Sequence, residues 1–251
     1  MILHGIDTPI NIKRDNTLSK PINNISPADR VDCIVTNPPF GGIEEEGIES
    51  NFPSAYRTKE TADLFLLYII AKLKPQGRCG VVLPDGALFG EGVKTRIKEK
   101  LMTDCNLHTV IRLPKSVFAP YTSINTNLLF FTKGEPTKET WFYRLDMPDG
   151  YKNFSKTKPM KREHLKPVED WWNDRKEIEI EGFFKAKKYK IDEIKERNYN
   201  LDLCGYPYEE ETVLPPMELL EQYQEKRAKL DKNIDDVLAQ IKELIGGIND
   251  N

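Results

Sequence analysis

Asn37-Pro38-Pro39-Phe40 puts an amide, a rigid proline pair and an aromatic ring into four consecutive residues. The exocyclic amine of a purine is a poor nucleophile, because its lone pair is delocalised into the ring. Two acceptors that take both of its N–H bonds draw the nitrogen toward a tetrahedral shape and aim the lone pair at an electrophile. The side-chain oxygen of Asn37 can be one acceptor and the backbone carbonyl of Pro38 the other. Prolines fix φ and carry no competing N–H, so that carbonyl is in place before a substrate arrives. Phe40 can stack on the base, which contributes roughly 1–3 kcal/mol. A base in a duplex must first leave its stack. A stiff turn would use the same residue types. The apolar run Val31–Thr36 before the tetrapeptide and Gly41-Gly42 after it favour the amine-alkylating chemistry.

The run Val31–Thr36 reads as a short buried strand that the two prolines end. Beyond it, strands and helices alternate in the α/β manner. Residues 43–60 are polar and hold Glu44-Glu45-Glu46, which suits a mobile loop beside the site or a plain solvated loop equally. Residues 61–74 read as a helix that Thr61 can cap and Pro75 and Gly77 end. A buried strand follows at 79–83, with Pro84-Asp85-Gly86 as a turn, then an amphipathic helix at 93–102. Strands at 109–113 and 128–132 flank a loop holding Lys115, Ser116, Phe118, Tyr121, Thr122, Ser123 and Asn125. Fold logic puts that loop at the same end of the sheet as Asn37, where it suits a base pocket or phosphate contacts, or is a plain polar loop. Residues 141–146 read as an edge strand closing a catalytic domain at 1–146.

Residues 147–212 read as a small C-terminal subdomain. Lys152, Lys156, Lys158, Lys161, Arg162 and Lys166 interleave with Tyr151 and Phe154, but Glu169, Asp170, Asp174, Glu177, Glu179 and Glu181 offset them. A solvated surface is therefore expected there, with Trp171-Trp172 and Phe183-Phe184 as packing anchors. Residues 213–247 are an amphipathic coiled-coil helix. Leu220, Tyr223, Arg227, Leu230, Ile234, Val237, Ile241 and Leu244 follow 3-4-3-4 spacing, between Pro215-Pro216 and Gly246-Gly247. A seam of that length favours pairing with a helix of another chain over packing on its own domain.

The chain has 251 residues and a net charge of −3, so it lacks the bulk basic character of a stand-alone DNA binder. Cys33, Cys79, Cys105 and Cys204 have neither metal-ligand nor disulfide spacing, and no metal is expected. No apolar run approaches a membrane span and no secretory signal is present, so no membrane partner and a cytoplasmic location are expected.

The stretch Thr36-Asn37-Pro38-Pro39-Phe40-Gly41-Gly42 resembles the catalytic motif of amino-group DNA methyltransferases. More narrowly, it resembles the modification (M) subunit of type I restriction–modification systems, which methylates adenine at N6 with S-adenosylmethionine. Thr61-Ala62-Asp63-Leu64-Phe65-Leu66, Gly80-Val81-Val82-Leu83-Pro84-Asp85-Gly86 and Ile111-Arg112-Leu113-Pro114 resemble the motifs that follow. So do Thr126-Asn127-Leu128-Leu129-Phe130-Phe131 and Arg197-Asn198-Tyr199-Asn200-Leu201. The resemblance implies an S-adenosylmethionine-dependent, Rossmann-like methyltransferase sheet, with Asn37, Pro38, Pro39 and Phe40 catalytic. It further implies that Asn16, Thr17 and Leu18 contact the cofactor together with Asn37 and Pro39; Asn16 stands where the family often has Asp. The implied partners are DNA, a specificity (S) subunit bound through the C-terminal helix, and a restriction subunit in the full complex.

Two family features do not occur upstream of residue 37: the glycine-rich loop after the first strand and the acidic residue after the second. Met1-Ile2-Leu3-His4-Gly5-Ile6 resembles the end of the helix after the second strand. The sheet is thus expected to be incomplete on its N-terminal side. Residues 10–12 would have no neighbour, and Val31–Thr36 would present an unpaired apolar edge, a docking site or an aggregation hazard. Weak or absent cofactor binding by the chain alone is expected. Three other readings stay open: a methyltransferase for RNA bases or a protein glutamine amide, an inactive remnant that serves as an assembly module with the specificity subunit, and one half of a split enzyme.

Overall fold

A computed structural model describes residues 14–180, 182–205 and 216–246. The described residues up to 205 belong to one compact unit, and 216–246 to a second. In the first unit the elements are β1 (Val31–Thr36), α1 (Thr61–Lys72), β2 (Leu73–Pro84), α2 (Asp85–Phe89), α3 (Val93–Asp104), β3 (Cys105–Arg112) and β4 (Thr126–Lys133). They continue with β5 (Glu139–Arg144), α4 (Lys166–Asn173), β6 (Ile178–Ile180), β7 (Phe183–Lys190) and α5 (Ile191–Glu196). The strands form one mixed sheet in the order β1-β2-β4-β3-β5-β7-β6, with β1 parallel to β2 and β3 parallel to β5. The α/β class expected from the alternation of elements is the observed one.

Side-chain alternation along the strands divides the core between the two faces of the sheet. Val110 and Phe142 join Leu64, Leu67, Ile97 and Leu101 of α1 and α3. Their neighbours Ile111 and Tyr143 point the other way, into a smaller cluster with Val168 and Trp171 of α4. Trp171 and Trp172 are the packing anchors expected of them: Trp171 is buried, and Trp172 meets the Phe130 ring edge-on at 4.9 Å. Phe183 is exposed, so only one of the two aromatic pairs anchors fully.

Several elements depart from the sequence expectations. β1 is not buried: it has β2 as its sole neighbour among the described strands, and its Val35 is 85% exposed. Edge position explains this, because among the described residues no strand pairs with its outer side. A groove of about 560 Å³, lined by Cys33, Val35, Val82, Phe130 and Trp172 among others, opens beside it. An apolar edge was expected, and it is present. The strand read at 141–146 is not an edge; β5 lies between β3 and β7. Residues 178–190, assigned by sequence to a separate subdomain, supply β6 and β7 to this same sheet. Asp85-Gly86 is not a turn but the start of α2. The 43–60 stretch is anchored by Phe52, which is 2% exposed between two short 3₁₀ helices. Residues 10–12 lie outside the described part of the chain.

In the second unit, α6 (Pro216–Gly246) is a continuous helix of 31 residues. Leu220, Tyr223, Leu230, Ile234 and Val237 of the expected seam are all more than half exposed on it. Ile241 and Leu244 lie on the helix as expected, but their side chains are outside the described residues. No helix among the described residues is long and apolar enough to cross a membrane.

Cys33 is exposed on β1, whereas Cys79, Cys105 and Cys204 are buried. Burial raises the pKa of Cys79 and pushes Cys105 and Cys204 up to about 12. The thiolate is the reactive form, so these three are protected twice, by access and by protonation. In the isolated chain a thiol reagent at pH 8 should titrate one cysteine natively and four after denaturation. A second fast-reacting thiol would show that the core around β2, β3 or Cys204 is open.

Candidate active site

Pairing of β1 with β2 ends at Thr36 opposite Val81, and the chain then leaves the sheet through the proline pair. Asn37 is exposed, and its amide has no hydrogen-bond partner among the described residues. Pro38 behind it is buried, Pro39 is exposed and Phe40 is half-buried. The Phe40 ring meets Phe118 edge-to-face, with centroids 4.8 Å apart and planes at 67°. The loop between β3 and β4 therefore stands beside the tetrapeptide, as fold logic expected. Together with Phe118, the four residues offer an amide without a partner among the described residues, a rigid main chain over a buried proline, and a wall of two aromatic rings.

The exit of this loop is tied down at a helix start. Gly42 adopts φ +122°, a conformation that L side chains rarely take. Its carbonyl accepts from the Thr61 N–H at 3.4 Å and from the Thr61 hydroxyl at 3.3 Å. Thr61 thus holds the loop instead of capping α1, whose N-cap residue is Glu60. One turn on, buried Asp63 pairs with Lys94 of α3 at 3.0 Å, and Lys94 also bonds Glu60. Burial raises the Asp63 pKa despite this partner. Lys98, one turn further along α3, donates to the carbonyls of Leu88 at 2.8 Å and Gly90 at 2.9 Å, at the end of α2. Burial pulls its pKa down to about 8. These contacts fasten α1, α2 and α3 together behind the loop.

A polar network that the sequence reading did not single out as a site lies at the same end of the sheet. Arg112, the last residue of β3, is 1% exposed. It donates from Nε to Asn127 Oδ1 at 3.3 Å and from Nη1 to Asp202 Oδ1 at 2.8 Å, and Nη2 lies 3.7 Å from Asp85 Oδ1. Asn127 Nδ2 in turn donates to Asp85 Oδ1 at 2.6 Å. A signal was available: an arginine ending an apolar strand and an aspartate following Val-Val-Leu-Pro must find partners if buried. Which partners they find is a tertiary matter that spacing does not disclose.

The residues expected to contact the cofactor divide into two places. Asn37 and Pro39 are exposed at the strand tip. Asn16, Thr17 and Leu18 form a turn in which the Leu18 N–H donates to Asn16 Oδ1 at 2.9 Å, and Leu18 itself is buried in the core. The Leu18 carbonyl accepts from Asn51 Nδ2 at 2.9 Å. Asn16 spends its side-chain oxygen on its own turn. Among the described residues no strand, glycine loop and helix present a fan of backbone N–H groups to an anionic ligand. The set present can form part of a wall for S-adenosylmethionine but not the cradle for its charged methionine end. Among the described residues no cluster of His, Cys, Asp or Glu could hold a metal ion.

Comparison with known proteins agrees with this geometry. A profile of the N-6 DNA Methylase family matches residues 1–213. The methylase subunit of the type I restriction enzyme EcoEI from Escherichia coli is 53% identical over 249 residues, which cover 98% of this chain and 49% of that subunit. A solved modification subunit of a putative type I restriction enzyme from Vibrio vulnificus YJ016 is 46% identical, with a TM-score of 0.67 over 72% of this chain and 38% of its own. A chain from a study of complex assembly and conformational transition in the type I restriction–modification system is 36% identical, with a TM-score of 0.73. The match covers 97% of this chain and 51% of that one. The chain thus spans about half the length of these relatives. On the strength of the profile, the identity and the shared fold, it belongs to the N-6 DNA methylase family.

Proposed function

We propose that this chain carries the base-gripping part of an adenine-specific DNA methyltransferase of a type I restriction–modification system. The observation that supports it most is the unpartnered Asn37 amide at a strand tip, backed by buried Pro38 and flanked by the Phe40–Phe118 pair. The flipped adenine stacks against Phe40, and its amino group donates to Asn37 Oδ1 and to the Pro38 carbonyl. The proline pair fixes the Pro38 carbonyl beforehand, and the exposed Asn37 side chain turns its oxygen to the second N–H. S-adenosylmethionine supplies the methyl group.

The described residues form only part of a cofactor wall, so the reading includes a glycine-rich cradle that lies outside them. By itself the chain should bind S-adenosylmethionine weakly or not at all; calorimetry that gave micromolar affinity for the chain alone would contradict this. Sequence recognition belongs to a specificity subunit docked on the exposed seam of α6, and a restriction subunit joins the full complex. The work is done in the cytoplasm, where the DNA is. The deciding test is transfer of labelled methyl groups to duplex DNA by the chain assembled with a complementing half and a specificity subunit. After digestion to nucleosides, the label should be in N6-methyl-2′-deoxyadenosine; label on RNA, on protein or nowhere ends the reading.

The same observations allow an assembly module without catalysis, since α6 and its seam do not depend on Asn37. Methyl transfer by the assembled complex separates the two, because an assembly module would support docking and no transfer.

A further inference from the structure

We propose that Arg112 is a positioning residue for the Phe40–Phe118 pair: it fixes both feet of the loop that bears Phe118 and fastens to them the segment at Asp202. The geometry stands by itself; its importance for catalysis rests on the reading of residues 37–40 given above. The loop leaves the sheet after Arg112 and returns at Thr126, and the two residues flanking its feet, Arg112 and Asn127, are register partners. The Leu113 N–H donates to the Thr126 carbonyl at 3.0 Å, and the Asp85 N–H to the Asn125 carbonyl at 3.0 Å. Arg112 Nε and Nη1 then tie Asn127 and Asp202, Asn127 ties Asp85, and the guanidinium lies over the Phe89 ring at 5.0 Å. One planar fork thereby joins β3, β4 and the 201–205 segment, and Asn127 brings in the start of α2.

The next strand repeats the device. Arg144 stands opposite Arg112 in register on β5, donates from Nη1 to the Gly205 carbonyl at 2.7 Å, and pairs through Nε with Asp146 at 2.6 Å. Leu203 and Cys204 between these two clasps, and Leu201 just before the first, are buried in the core. An apolar side chain could fill the Arg112 site without desolvating a charge, so packing alone does not call for an arginine. Joining several segments in one plane does, and lysine has no fork to do it with. A wall displaced by about 1 Å can cost on the order of a hundredfold in rate.

The test uses Arg112→Lys and Asp202→Asn in the full chain. Asp202 is half-exposed, so its variant should fold even if Arg112→Lys does not. Chymotrypsin is offered two sites: Tyr121, 92% exposed in the loop, and Phe183, 41% exposed at the start of β7. Cleavage after Tyr121 should accelerate at least about threefold relative to cleavage after Phe183. In the assembled enzyme kcat should fall by about tenfold or more, with little change in KM for DNA. Equal acceleration at both sites, or none, overturns the proposal, and so does a local acceleration that leaves kcat unchanged. If the unaltered complex transfers no methyl groups, the reading of residues 37–40 falls, while the cleavage ratio still decides whether Arg112 fixes the loop.

Discussion

Asn37→Ala should abolish methyl transfer by the assembled complex, lowering kcat by roughly 10²–10⁴-fold, the range typical of a lost group that manages a proton-bearing reaction centre. Truncation removes one of two acceptors and leaves the adenine amine planar and conjugated. The Pro38 carbonyl survives, so DNA binding and base extrusion should change little, and the loss should fall on kcat and not on KM. Folding should be unaffected, because Asn37 is exposed and its amide bonds nothing among the described residues. A melting temperature equal to wild type, together with intact assembly, would confirm that the defect is chemical. A variant that methylates at the wild-type rate would remove Asn37 from the reaction altogether.

The second large effect is expected on α6. Ile234→Lys places a charge in the middle of the exposed seam between Leu230 and Val237. If that seam docks against helices of a specificity subunit, the ammonium must be desolvated in an apolar interface. A central contact of this kind costs about 2 kcal/mol or more, roughly thirtyfold in Kd. The variant should lose co-purification with the specificity subunit while circular dichroism of the isolated chain stays unchanged, since position 234 is already solvent-facing there. Undiminished co-purification would move the docking surface elsewhere. Asp231→Ala is a suitable control: it removes only the exposed ion pair with Arg227 at 3.7 Å, which contributes little.

Local signals in the sequence were read well wherever local physics decides. Prolines end β1 at Thr36, and 3-4 spacing marks α6, because both depend on neighbours in the chain. The failures share a different cause. Val31–Thr36 was read as buried because it is apolar, yet the unpaired edge also expected of it leaves Val35 exposed among the described residues. Residues 141–146 looked like the end of a domain, but β7 pairs with β5 across a sequence gap of almost forty residues (Glu139 with Lys190 at its far end), and no periodicity signals that. Thr61 has the residue type of a helix cap, and its hydroxyl was instead claimed by Gly42, nineteen residues upstream. At the site the same division holds. The tetrapeptide was legible because its four residues are contiguous. Phe118 was placed at the right end of the sheet by topology, but its contact with Phe40 was not foreseeable. That Arg112 and Asp85 needed partners was legible, but the pairing of the Arg112 network was not, since its members come from four separate stretches of chain.

The length of α6 has a consequence of its own. At about 1.5 Å per residue its 31 residues reach some 46 Å, whereas seven strands at roughly 4.8 Å spacing make a sheet only about 29 Å across. A grip spread along such a rod can be strengthened or weakened one helical turn at a time without touching a single residue at the strand tips. On the proposed reading, selection could retune or swap a partner docked along this rod while the chemistry at the strand tips is inherited unaltered.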